Sequence, residues 1–363
     1  MNSAEPGPRD SDGALSRRGF LWLASMGGLA AVGLPLGVFQ GAGAALAALS
    51  IPEVNADISQ PSRQSPPREI VPDPLMGYPQ IFGLSFGGSP LEIFRFEGGE
   101  AAGRSSSGQQ GMEGRIFKHI QGFTYRDLVF YYLPVPGQSF NNWLVNSLQG
   151  ATQAITGSIF MKDRFAEQGN ELQFSGGFLR ELSFPDADIA LPGHSASLRV
   201  TIGVMQTQRV SGSYAASQFV KPSMSSTPLK GYFHFSIDGW GGIQQVARVE
   251  TPIFSAGLLP PNPTVSGFPG TKPQDYSNVK VVLPETQAQP FYDWHANFVI
   301  KGLNADRFEK KGTLRWLSPT QNNTVVFMLH LEHLGIVSVV RLPDKPGYVQ
   351  VEMYCEKVVP EFG

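Results

Sequence analysis

Phe140-Asn141-Asn142-Trp143-Leu144-Val145-Asn146 and Phe291-Tyr292-Asp293-Trp294-His295-Ala296-Asn297 carry one pattern, F-x-x-W-x-x-N, 151 residues apart. Tryptophan occurs only five times in the 363 residues, so two in register point to a repeat rather than to composition. The same 151-residue spacing relates Phe82-Gly83-Leu84-Ser85-Phe86-Gly87-Gly88 to Phe233-His234-Phe235-Ser236-Ile237-Asp238-Gly239, and Tyr125 to Tyr276. Further on, Gly157-Ser158-Ile159 matches Gly312-Thr313-Leu314 at 155, and Leu179–Phe184 matches Leu334–Val339 at the same 155. Leu198–Ile202 returns to 151 against Val349–Met353. Matched strands with compensating gaps between them are what two copies of one fold would show. This period is too long for a solenoid repeat and has the size of a whole domain.

Each copy reads alike. A strand pair comes first, at about 80–97 and 231–250. A Gly-rich loop follows, polar from Glu97 to Gly114 in the first copy and proline-rich from Ala256 to Pro273 in the second. Alternating strands then run from Tyr125 to Leu133 and from Tyr276 to Leu283. One short helix comes next. Phe140, Trp143, Leu144 and Leu148 make one apolar stripe, as do Phe291, Trp294, Phe298 and Val299. Ser139 is the expected N-cap of the first helix, and Pro290 suits the first turn of the second. Gly150 and Gly302 are the expected stops. Three more strands close each copy. The fold expected is mainly β: two tandem antiparallel β-sandwich or barrel domains, at 77–215 and 228–360, each with one short amphipathic helix. Phe140, Trp143, Phe291 and Trp294 read as core anchors.

The repeated unit resembles the contractile-phage tail-tube family, which includes the tubes of related injection machines. The residues that carry the likeness are Phe82–Glu97, Gly122–Leu128, Phe140–Trp143, Gly157–Asp163, Leu179–Phe184 and Leu198–Val204 in the first copy. The second copy contributes Tyr276–Val279, Phe291–Trp294, Gly312–Leu317 and Leu334–Val340. The resemblance implies a non-enzymatic structural protein that self-associates into a ring or tube, with other tail-like components as further partners. Family subunits usually hold one such unit and assemble as sixfold rings; two units per chain imply a trimer with pseudo-sixfold symmetry.

Subunits of that family are normally assembled in the cytoplasm without an export signal, and this chain departs from them there. Residues 1–18 are polar and end in Ser16-Arg17-Arg18, followed by Gly19-Phe20-Leu21 and an uncharged stretch rich in Gly and Ala. This looks like a twin-arginine (Tat) signal over 1–48, cleaved after Ala47 or Ala48 and read by the Tat translocase; a retained anchor is the competing reading. Either places the folded part in the periplasm, at the cell surface or outside the cell. Residues 49–76, with prolines at 52, 61, 66, 67, 72 and 74, read as a linker or extended arm.

The formal net charge is −2, from 28 basic and 30 acidic side chains, which argues against a nucleic-acid binder held by phosphate contacts. A single cysteine, Cys355, rules out an internal disulfide and any thiolate-rich metal site; it is expected buried in a strand. No nucleophile elbow, phosphate loop, H-E-x-x-H or dinucleotide fingerprint occurs. His330-Leu331-Glu332-His333 is the densest histidine cluster, but in a strand positions i and i+3 face opposite ways. Asp186 and Asp188 could hold calcium or act as catalytic carboxylates, but read better as a solvated turn. No catalytic, cofactor or metal residue is therefore assigned. The rival to assembly is a monomeric exported sandwich that binds glycans, with Trp240 and Trp316 as its platform.

Overall fold

The structure is a computed structural model that describes residues 80–363, except 92, 111–115, 135, 152, 164–165, 215–227, 241–242, 244, 257–273 and 320–322. The expected signal (1–48), the proline-rich segment (49–76) and most of the loop from Ala256 to Pro273 lie outside the described residues.

The first half holds strands β1 (Gln80–Phe86), β2 (Ser89–Leu91), β3 (Ile93–Glu97), β4 (Ala101–Gln110), β5 (Ile116–Tyr125) and β6 (Leu128–Tyr132). Helix α1 (Ser139–Leu148) follows, then β7 (Ile155–Asp163), β8 (Gln168–Ser183), β9 (Ala187–Asp188), β10 (Leu198–Gly203) and β11 (Gln206–Ser213). The second half holds β12 (Phe233–Ile237), β13 (Arg248–Glu250), β14 (Ile253–Ser255), β15 (Asp275–Tyr276) and β16 (Val279–Pro284). Helix α2 (Gln289–His295) then precedes β17 (Lys310–Leu317), β18 (Val325–Arg341) and β19 (Tyr348–Phe362). The fold is mainly β, and every ladder is antiparallel.

The two halves have the same strand order. The first runs β1-β7-β8-β10-β6-β3, the second β12-β17-β18-β19-β16-β13. Register agrees pair by pair. Leu84 faces Ile159 as Phe235 faces Leu314, and Leu128 faces Ile202 as Val279 faces Met353. The irregularities agree as well. In both halves the long strand bulges against its predecessor, with Gly176 at φ 62° in the first and His333 at φ 55° in the second. A second bulge opposes β10 at Arg180 and β19 at Val337.

These ladders correct the alignment read from the sequence. Ile159 faces Leu172, and its counterpart Leu314 faces Leu329, so β8 and β18 are related by 157 residues, not 155. Leu179 is thus the counterpart of Ile336 rather than of Leu334. The slip is two residues, which leaves every side chain on the same face; alternation alone does not separate the two registers.

Three further expectations change. The polar loop from Glu97 to Gly114 contains β4, which pairs with β5 from Ala101↔Tyr125 to Gln110↔Ile116. Ala-Ala-Gly-Arg-Ser-Ser-Ser has little strand propensity, and the apolar β5 opposite it supplies the pairing. The strand expected from Tyr125 to Leu133 breaks at Arg126-Asp127, so that β5 and β6 join different sheets. Ser139 is not an N-cap: the cap is Gln138, and no side chain bonds there. Pro290 does lie in the first turn of α2, Gly150 takes φ 92° just past α1, and Gly302 takes φ 69° just past the π-helical turn Ala296–Ile300 that extends α2.

Each helix seals its sheet with aromatic rings. Phe140 is fully buried among Phe86, Phe130 and Tyr132, with ring centroids 5.2–5.8 Å apart, and stacks on Trp143 at 5.3 Å. Tyr132 Oη donates to Asn141 Oδ1 at 2.7 Å inside this core, and Trp143 Nε1 to the Gln153 carbonyl at 2.9 Å. In the second half Trp240 meets Phe291 at 4.8 Å and Trp294 at 5.8 Å, edge to face. The anchors expected from the helical spacing are therefore core residues; Trp143 Nε1 has its carbonyl partner, whereas Trp294 Nε1 is buried without one.

Candidate assembly interface

The halves are joined by backbone, strand to strand. β14 of the second half lies along β8 of the first, with Ile253↔Ser183, Phe254↔Leu182 and Ser255↔Glu181. The Ala256 N–H continues the ladder to the Arg180 carbonyl at 2.8 Å. β15 backs β14 with Phe254↔Tyr276, and the Ser277 N–H closes the pair on the Ile253 carbonyl at 3.0 Å. Phe254 is wholly buried at this joint and packs on Tyr276 at 5.2 Å. A second contact runs the other way: β9 of the first half pairs with β13 of the second, Arg248↔Asp188 and Val249↔Ala187.

This joint explains the two acids singled out from sequence. Asp186 Oδ1 accepts from the Thr251 N–H at 3.1 Å, and the Thr251 hydroxyl donates to the Phe184 carbonyl at 2.8 Å. Asp188 Oδ1 accepts from the Ala190 N–H at 2.8 Å, the geometry of an Asx turn. The two carboxylates are engaged with backbone donors of the joint, not with each other.

The remaining sheet edges are exposed and apolar in places. On β5, Ile116, Phe117, Ile120 and Phe123 are 46–68% exposed. On β18, Val337 and Val340 are 41% and 46% exposed. A buried sheet does not leave so many large apolar side chains in water, and an edge that does is competent to pair with another chain.

No family model matches the chain, and no curated protein matches it. It is similar to a chain of the PVC sheath–tube complex, an extracellular contractile injection system in its extended state. That match has 16% identity and a TM-score of 0.31 over 37% of this chain and 89% of that one. Hcp1 from Flavobacterium johnsoniae matches at 10% identity and a TM-score of 0.27, over 37% of this chain and 99% of that one. A chain of the anti-feeding prophage baseplate matches at 12% identity and a TM-score of 0.31, over 39% and 97%.

His330 and His333 both lie on β18, as expected of a strand, and reach different carboxylates. His330 Nε2 lies 3.1 Å from Glu361 Oε2, and His333 Nδ1 lies 2.9 Å from Glu309 Oε2. His333, Glu309 and Glu356 bring three ligand atoms within 4.8 Å of one another, a grouping the sequence did not reveal. Both oxygens of Glu309 are engaged, however, since Tyr354 Oη donates to Oε1 at 2.7 Å. Trp316 is wholly buried and stacks on Phe327 at 5.0 Å, so it forms no surface platform. Trp240 borders a cleft of about 510 Å³ with Trp294, Asn297, Arg307 and Lys310. The Lys310 ammonium sits over both rings, 5.2 Å from Trp240 and 5.6 Å from Trp294. Cys355 is buried in β19, and burial pushes its thiol up to about 12. Among the described residues no helix is long and apolar enough to cross a membrane.

Proposed function

We propose that this chain is an exported structural protein that associates with copies of itself into a ring or tube, each chain supplying two tail-tube-like units that arose by tandem duplication. The observation that carries the reading is the strand-to-strand joint between two halves of identical strand order. A unit that already binds its twin through a sheet edge has the surface needed to bind the next one. The exposed apolar residues on β5 and β18 support this, because each would leave water on association. The resemblance of the residue pattern to tail-tube subunits leads to the same reading. Three chains would then make a ring of six units, and other tail-like components would be further partners.

Sedimentation velocity of the purified protein over a hundredfold range of concentration tests self-association. A species several times the 39.4 kDa chain mass is expected; a monomer throughout would contradict the reading. The export half rests on Ser16-Arg17-Arg18-Gly19-Phe20-Leu21 and the Ala-rich run after it. Replacing Arg17 and Arg18 together by Lys should leave the protein in the cytoplasm on cell fractionation, and unchanged export would remove the Tat assignment.

A further inference from the structure

We infer that β4 of one chain pairs with β18 of a second copy, in the register that β14 uses on β8 within the chain. The inference rests on the self-association proposed above and specifies its contact. It starts from the equivalence of the two hairpins. β14–β15 pairs Phe254↔Tyr276 and Ser255↔Asp275; β4–β5 pairs Ala101↔Tyr125 and Ala102↔Thr124. The closing bond is the same in both: Ser277 N–H to the Ile253 carbonyl at 3.0 Å, and Arg126 N–H to the Glu100 carbonyl at 2.9 Å. Glu100, Ala101 and Ala102 therefore stand where Ile253, Phe254 and Ser255 stand.

The receiving strands are equivalent as well. Ser183, Leu182 and Glu181 face Arg199, Val200 and Thr201 on β10. Val340, Val339 and Ser338 face Gln350, Val351 and Glu352 on β19. In the first half the other edge of these residues is filled by β14. In the second half β17 ends its pairing with β18 at Lys310↔Leu334, and no described strand lies along Ser338–Val340 on that side. These two edges, neither of which has a described strand on its outer side, also differ from their filled twins in burial: Phe254 is wholly buried whereas Ala101 is exposed, and Leu182 is buried whereas Val339 is only partly so.

Each chain thus carries one filled joint and the two complementary surfaces of a second. Those surfaces do not match themselves, so the contact is head-to-tail, which closes into a ring or runs on as a filament according to the rotation per step. Superposing the joint gives the pairs Glu100↔Val340, Ala101↔Val339 and Ala102↔Ser338, with the Gly103 N–H reaching the Val337 carbonyl as Ala256 reaches Arg180. The occupant is a second copy because the surface facing this β18 edge already exists on this chain, in the matching half.

The test uses the full chain in two single-cysteine forms, Cys355→Ala with Ala102→Cys and Cys355→Ala with Ser338→Cys, carrying tags of different size and co-expressed. Mild oxidation should give a mixed disulfide dimer, at least tenfold more than Ala102→Cys gives with Val339→Cys, whose side chain faces the other side of the sheet. Neither variant should link to itself. If sedimentation shows oligomers but the mixed dimer is no more abundant than in the Val339→Cys control, the register is wrong while self-association stands. If the chain is monomeric, both fall. Val340→Lys is a second arm: the side chain is exposed, so circular dichroism should be unchanged, while a buried lysine at the contact should shift the chain to monomer. Unchanged assembly in that variant would overturn the pairing.

Discussion

Gly176 and His333 hold one place in two ladders, both with left-handed backbone, and only one of them is a glycine. A Cβ on Gly176 would also meet Met205 Cγ at 2.7 Å. Gly176→Ala should therefore destabilise the fold by about 1–3 kcal/mol, read as a shift in denaturant midpoint; no shift would mean that the bulge is not strained there. His333 carries the same backbone and is held by Glu309 at 2.9 Å. Nothing in the sequence around His333 announces a positive φ, because histidine tolerates it without requiring it. Cys355 makes a second prediction. Its thiol is raised by burial, so in the folded protein the reactive thiolate is absent at neutral pH and appears only towards about pH 12. Alkylation at pH 8 should be slow until denaturant is added; immediate labelling would place Cys355 at the surface.

Among the elements, β14 is short and yet joins the halves. Phe254→Ala removes a wholly buried ring from a three-residue strand and should cost about 3–5 kcal/mol in unfolding free energy. A loss below 1 kcal/mol would show that the joint contributes little. The helices and the strands β6 and β16 were legible in sequence, since Phe140, Trp143, Phe291 and Trp294 carry a helical stripe, β6 is a continuous apolar run and β16 is apolar apart from Lys280 and its closing proline. The offset of β18 was misread by two residues because a strand repeats every two, and Leu334 and Ile336 serve equally well as a buried position. β4 was missed because its small polar residues gain their pairing from β5, not from their own propensity. The joint itself could not be read from either half alone. It depends on which edge each sheet leaves open, and that follows from strand order rather than from local pattern.

For the whole molecule, two equal strand orders joined through one edge leave the same edge without a described strand at the far end. Near-neutral charge suits such a surface, since neighbouring copies with a formal charge of −2 each repel only weakly. Association should accordingly depend little on salt and strongly on the apolar residues of β5 and β18. Electron microscopy of the purified protein tests this most directly. The account predicts closed rings or stacked tubes built of an even number of like-sized units, two from each chain. A field of separate particles, each the size of one chain, would contradict it.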